Sequence, residues 1–335
     1  MSTAPELTNP AQSDADMIWI PGGEFNMGSD NHYPEEAPRH RVRVDGFWMD
    51  RTPVTVRQFA EFVEATGHVT TAEIAPDPAD YPGALPELCH PGSLVFSPPN
   101  HAVDLGDWSQ WWEFRLGADW RHPYGPGSSS EDLLDHPVVH VTHGDAAAFA
   151  HWAGKRLATE AEFEFAALGG TDEAEFAWGD ELEQDGRHHA NVWQGEFPWQ
   201  NLATDGFERT SPVGSFPPNG FGLADMIGNV WEWTDDWYRA RHPEAANKPC
   251  CIPTNPRGGP KSDSHDRCDN VPIPRKTLKG GSHLCAPNYC RRYRPAARHA
   301  QPIDTSTNHI GFRCVRSGSA QTLSEVASAA RPSEG

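Results

Sequence analysis

Two cysteines five positions apart in a basic segment are the residues of this chain best suited to chemistry. The segment KGGSHLCAPNYCRRYRPAAR carries Cys285 and Cys290, with Arg291, Arg292 and Arg294 directly after them. A guanidinium beside a thiol favours the thiolate, the form that binds metals and attacks electrophiles. Two thiolates suit a soft ion such as copper(I), whereas structural zinc takes four ligands and no second cysteine pair at finger spacing stands nearby. Buried cysteine is also an ordinary core residue. The spacing alone leaves both readings open, a dithiol metal site or two packing side chains.

The other candidate ligands are less suggestive. Seven cysteines are an odd number in a chain of 335 residues that starts without a basic, then apolar, leader, which argues against a disulfide framework. Cys250, Cys251, His265 and Cys268 could hold an adventitious zinc ion, but their spacing matches no finger. His136, His140 and His143 in HPVVHVTHGDA read as packing and turn hydrogen bonding.

These residues must be positioned by an irregular α+β scaffold. Thirty glycines, 31 prolines and 13 tryptophans describe short elements joined by long ordered loops, with aromatic side chains burying much of the surface. Strands are expected at Met17 to Ile20, at Arg41 to Trp48 with a Gly46 interruption, and at Val138 to Val141. Thr55 caps an expected helix with Phe59, Phe62 and Val63 on its apolar face and Gly67 at its end. Asp145 starts a second, with Phe149 and Trp152 inward and Gly154 at its close. Thr159 and Glu162 form a capping box for a third, which carries Phe163 and Ala166 and stops at Gly169 and Gly170. Pro76 to Asp135 has little periodicity and is too long for a passive connector, so it reads as an ordered functional loop region. No internal repeat is visible.

Charge narrows the partners. A net charge of -20, from 47 acidic and 27 basic residues, opposes phosphate backbones and anionic lipid, so neither nucleic acid nor membrane is an expected partner. No stretch approaches the ~20 apolar residues of a membrane span. The chain reads as a cytoplasmic monomer with one domain over residues 17–316, flanked by a disordered segment over 1–16 and a disordered tail over 317–335.

The order MIWIPGGEFNMGS, GKRLATEAEFEFAA, ANVWQGEFP, FPPNGFGLADMIGNVWEW, KGGSHLCAPNYCRRYRPAAR, NHIGFRC resembles the sulfatase-modifying-factor family, whose founding members are formylglycine-generating enzymes. The resemblance implies a C-type-lectin-like topology with little regular secondary structure. It implies a reaction with dioxygen in which copper(I), held by Cys285 and Cys290, serves to convert a substrate cysteine to Cα-formylglycine. The substrate it implies is an unfolded or nascent sulfatase bearing Cys-x-Pro-x-Arg. Ser282, Trp231, Tyr289 and Arg291 align with residues around the metal and oxygen pocket of such enzymes.

The resemblance also implies two structural calcium sites. Asn191, Val192, Asp205 and Phe207 match the first; Asp225, Gly228, Val230 and Glu232 match the second. The chemistry suits calcium, which takes six to eight oxygens and uses backbone carbonyls readily. Positions that carry disulfides in secreted vertebrate members are here Ala150, Ala167, Pro295 and Cys314, so those bridges cannot form. The NHI before GFRC departs from the family pattern, which leaves Asn308 and His309 without an assigned substrate contact. Rival readings are a sulfoxide-synthase-like paralogue using histidine-held iron and a non-catalytic paralogue of the same fold.

Overall fold

The computed structural model describes residues 16–171, 174–243, 252–266 and 271–318. Its strands are short: β1 (Met17–Ile20), β2 (Gly23–Met27), β3 (His40–Val44), β4 (Phe47–Asp50), β5 (Gly92–Phe96), β6 (Trp112–Leu116), β7 (Arg156–Leu157), β8 (Glu183–Gln184), β9 (Arg187–His188), β10 (Trp231–Trp237), β11 (Arg275–Lys279), β12 (His299–Pro302), β13 (Ile310–Gly311) and β14 (Cys314–Ser317). The helices are α1 (Val56–Thr66), α2 (His143–Trp152) and α3 (Glu160–Leu168). All three begin with a reciprocal capping box, Thr55 with Gln58, Thr142 with Asp145 and Thr159 with Glu162. Each such cap contributes ~1 kcal/mol by satisfying amides that have no partner within the helix. Left-handed glycines end α1 and α3, Gly67 at φ 69° and Gly169 at φ 63°.

Two four-stranded sheets organise the chain. One runs β1-β4-β14-β7, so strands from both ends of the described chain meet in it, and the other runs β12-β11-β10-β13 with a parallel β10–β13 pair. Phe59, Phe62, Phe149 and Phe312 pack α1 on α2 over Trp231 and Trp233 of β10. Ile20, Phe25, Val42, Phe47, Phe163 and Phe165 form a second core cluster, between α3 and the N-terminal strands. A smaller aromatic cluster holds Phe96, Trp111, Trp193 and Phe197 against Leu284 and Ala286.

Buried ion pairs fix the connection between β11 and β12. Lys279 Nζ lies 2.8 Å from Glu164 of α3, Arg298 makes two bonds of 2.6 and 2.8 Å to Glu160, and Arg294 makes two of 2.9 and 2.6 Å to Glu36. Removing one partner of such a pair leaves an uncompensated buried charge, at a cost of ~3–5 kcal/mol.

Three expectations need correction. Val138 to Val141 is not a strand: only Pro137 bridges to Thr55, and His140 at φ 61° turns the chain away. The second helix begins at His143 with Thr142 as its cap, so Asp145 is the third helical residue rather than the first. The run from Arg41 to Trp48 is two strands, β3 and β4, in different sheets; a Cβ at Gly46 between them would stand 2.5 Å from the Trp19 ring. The Pro76 to Asp135 region is ordered, as expected, and also folds a hairpin from β5 and β6. Among the described residues no helix is long and apolar enough to cross a membrane. Of the segments expected to be disordered, 1–15 and 319–335 lie outside the described residues, as do Cys250, Cys251 and Cys268, but Ser317, expected in the tail, ends β14 in register with Phe47.

Candidate active site

The GGS turn after β11 sets the geometry. Gly281 sits at φ 74°, and a Cβ there would stand 2.7 Å from the Arg292 carbonyl, so only glycine lets the two arms of the loop approach. Beyond it the backbone folds into successive turns, with Cys285 N donating to Ser282 O at 2.9 Å and Cys290 N to Ala286 O at 2.8 Å. These turns bring the two sulfurs to 3.5 Å, hydrogen-bonding distance, against ~2.05 Å for a disulfide bond. Cys285 is buried and Cys290 half-buried, both as free thiols. The Ser282 amide donates to Cys285 Sγ at 3.4 Å, and its hydroxyl accepts from Leu284 N at 3.2 Å.

The two sulfurs are not equivalent. The hydrogen bond from Cys285 and then, against burial, the charge of Arg292 bring Cys290 down to about 6. Burial pushes Cys285 up, reinforced by its hydrogen bond to Cys290 and by that neighbour's charge. Near neutral pH the pair therefore carries one proton, on Cys285, donated to a Cys290 thiolate. The Arg292 Nη1 lies 3.8 Å from Cys290 Sγ. Its Nε and Nη2 bond Glu35 at 3.1 and 2.6 Å, and its guanidinium lies 3.8 Å over the Tyr33 ring.

Both sulfurs line a cleft of about 250 Å³. Trp231, Ser282, Tyr289 and Arg292 line it too, as do Trp112, Phe197, His299 and His309, for which no site role was expected. Tyr289 stacks on Phe197 at 4.6 Å and 7°. His299 lies beside Trp231, with ring centroids 5.7 Å apart, and His309 beside Trp112 at 4.8 Å. Desolvation holds His309 neutral, well below its usual pKa. Arg291 stands elsewhere: its side chain is half exposed and pairs with Glu175 at 3.2 Å. Asn308 is buried and accepts from Phe96 N at 3.1 Å.

The donor set suits a soft, low-coordinate ion. Two sulfurs face one cleft, and among the described residues no group of three or more His, Cys, Asp or Glu side chains converges on a metal position. That composition fits copper(I) better than four-coordinate zinc.

The oxygen-rich stretches are also drawn together. Gln194 Nε2 donates both to the Val192 carbonyl and, at 2.8 Å, to Asp205 Oδ2, so two of the first expected calcium ligands share one neighbouring atom. Asn191 donates through Nδ2 to Arg209 O at 2.8 Å, and Phe207 N donates to Asp205 Oδ1 at 2.9 Å. At the second set, Glu232 forms a buried pair with Arg313 at 2.8 Å. Burial pushes both Asp225 and Glu232 up, against the charge of Arg313, and the charge of Asp225 adds a smaller push on Glu232. A buried carboxyl at Asp225 beside the Glu232 carboxylate offers hard oxygens that a divalent cation could take, with Arg313 already holding Glu232.

Two of the three histidines expected to be structural make such hydrogen bonds. His140 bonds Ser93 Oγ at 2.7 Å and Pro123 O at 2.8 Å, and His136 bonds Thr210 Oγ1 at 3.0 Å. Cys314 is a buried free thiol.

Residues 3–318 match the sulfatase-modifying factor enzyme 1-like domain. A formylglycine-generating enzyme of Mycobacterium tuberculosis is 53% identical over 302 residues, 90% of this chain and 97% of that one. A protein of Bos taurus named inactive C-alpha-formylglycine-generating enzyme 2 is 35% identical over 309 residues, 89% of this chain and 87% of that one. The structure of PvdO from Pseudomonas aeruginosa superposes with a TM-score of 0.57 at 24% identity, covering 90% of this chain and 94% of that one, which establishes the fold.

Proposed function

The chain belongs to the sulfatase-modifying factor enzyme family, and on that premise we propose that it converts a cysteine of a sulfatase to Cα-formylglycine, using dioxygen and copper(I). The observation that carries this reading is the Cys285–Cys290 pair, with sulfurs 3.5 Å apart in an accessible cleft. Bound by these two sulfurs, copper(I) supplies the redox chemistry that couples cysteine oxidation to dioxygen.

The chain's own residues prepare that chemistry. Arg292, held by Glu35 and Tyr33, keeps a negative charge on Cys290, so one ligand is ionised before any ion arrives. The Ser282 amide donates to Cys285 and supports a second thiolate there. Trp231, Trp112, Phe197 and Tyr289 wall the cleft with aromatic surface and restrict water around the sulfurs. The substrate proposed for this cleft is an extended Cys-x-Pro-x-Arg segment of an unfolded or nascent sulfatase. Calcium at Asn191, Val192, Asp205 and Phe207, and at Asp225, Gly228, Val230 and Glu232, would brace the loops behind the cleft. The proposed setting is a reducing cytoplasm and the acting form a monomer.

The test is a peptide bearing Cys-x-Pro-x-Arg incubated with the protein, copper(I), oxygen and a reductant. The peptide should gain an aldehyde, read by mass spectrometry and hydrazide labelling; an unmodified peptide after full copper loading overturns the reading. Cys285→Ala and Cys290→Ala should each abolish turnover with the fold intact. In the rival, a non-catalytic paralogue, copper(I) leaves thiol alkylation unchanged instead of protecting both cysteines.

A further inference from the structure

The candidate first calcium site contains one side chain that its expected ligand set does not use. Gln194 stands between Val192 and Asp205 and touches both: its Nε2 donates to the Val192 carbonyl and to Asp205 Oδ2, and its Oε1 accepts from Asp205 N at 3.3 Å. Its backbone is fixed as well, because the Gln194 carbonyl accepts from Leu202 N at 2.7 Å. The other Asp205 oxygen is engaged by Phe207 N at 2.9 Å, so Oδ2 is the oxygen turned toward Gln194.

We propose that the Gln194 carboxamide is an oxygen ligand of this cation site, presenting Oε1 in place of Nε2 when a divalent cation sits on Val192 O and Asp205 Oδ2. The inference rests on the calcium reading above. Two acceptors directed at one small region need a positive partner there. An amide N–H₂ provides it weakly and a cation strongly, and the two cannot occupy the region together. The carboxamide's nitrogen and oxygen have nearly the same size and shape, so half a turn about the last side-chain bond interchanges them, and the side chain draws back to admit the cation between Oε1 and the two acceptors. The turn places Oε1 beside the cation; the cation replaces the two donations from Nε2, and the long bond from Asp205 N is lost. Calcium accepts amide carbonyls alongside carboxylates, and a fifth protein oxygen moves the site toward the six to eight that calcium takes.

The experiment is calorimetric titration of calcium chloride into the full chain after chelator treatment, with circular dichroism to confirm the fold of each variant. Asp205→Asn identifies the first-site isotherm by weakening or removing it. Gln194→Met keeps the volume and removes the oxygen; its first-site affinity should fall about tenfold, the lower end for loss of a metal-supporting group. Gln194→Glu adds charge and should tighten the same isotherm, while lowering the melting temperature in chelator because a carboxylate then faces Asp205 and the Val192 carbonyl. Gln194→Met binding as tightly as wild type, or more tightly, overturns the inference and makes the amide a competitor of the cation. A wild-type titration that Asp205→Asn leaves unchanged overturns the calcium reading and Gln194's role with it.

Discussion

The shared proton of the cysteine pair gives the sharpest prediction. With Cys290 at about 6, ~90% of it is thiolate at pH 7 by the ordinary titration relation. Its alkylation rate by iodoacetamide, followed by peptide mapping so that Cys89 is scored separately, should rise with pH to a midpoint near 6. The largest cause of the depression is the hydrogen bond from Cys285. A hydrogen bond to a charged acceptor contributes ~1.5–3 kcal/mol and one pKa unit is ~1.36 kcal/mol, so Cys285→Ala should move the midpoint up by ~1–2 units. At pH 6.5 the thiolate fraction then falls from ~0.76 to between ~0.24 and ~0.03, and the rate drops by about three- to 25-fold. Loosened packing would raise the plateau rate without moving the midpoint, so the two effects separate. A wild-type midpoint above 8, or one that Cys285→Ala leaves in place, refutes the asymmetric pair.

Three further outcomes test the surrounding structure. Arg292→Met removes a cation that lowers Cys290, so its alkylation midpoint should rise and turnover fall; Arg291→Met, which removes the pair with Glu175 and a bond to Tyr293, should leave the midpoint where it is. Arg294→Met leaves Glu36 charged and buried, and should cost ~3–5 kcal/mol in denaturant unfolding, with a lowered melting temperature. Asp225→Asn concerns a carboxyl raised by burial, whose folded form favours the proton. Its ionised state therefore destabilises the fold at pH 7, and the penalty fades as pH falls through the raised pKa. In chelator the variant should melt above wild type at pH 7, with the gap closing toward acid, and in excess calcium the order should reverse.

What could be read from the sequence was local. Helix α1 could be placed because Thr55, the apolar Phe59, Phe62 and Val63, and Gly67 all lie within one short stretch. The hairpin of β5 and β6 was missed because GSLVF and WEFRL stand in a proline- and glycine-rich background, and neither strand is convincing without the partner found by tertiary pairing. Val138 to Val141 failed the other way, its valines buried on a segment that bends at His140 and has no ladder to join.

The site divides along the same line. The cysteine pair could be named from the sequence, but its spacing left a dithiol site and two packing side chains equally open until the resemblance chose between them. Which arginine serves Cys290 could not, because Arg291 and Arg292 are neighbours with the same charge. The choice is made by residues some 257 positions away, Glu35 bonding the Arg292 guanidinium and Tyr33 lying beneath it. The Tyr33 hydroxyl meanwhile accepts from the Arg291 backbone amide at 3.0 Å, fixing the point from which the two side chains part. A resemblance aligns positions one by one, and at this place a shift of one residue separates a guanidinium on the thiolate from one bound to Glu175. The Tyr33 and Glu35 contacts are therefore as much a part of the site as the cysteines. Replacing Glu35 with Gln should raise the Cys290 midpoint less than Arg292→Met does, because the cation stays while its anchor weakens.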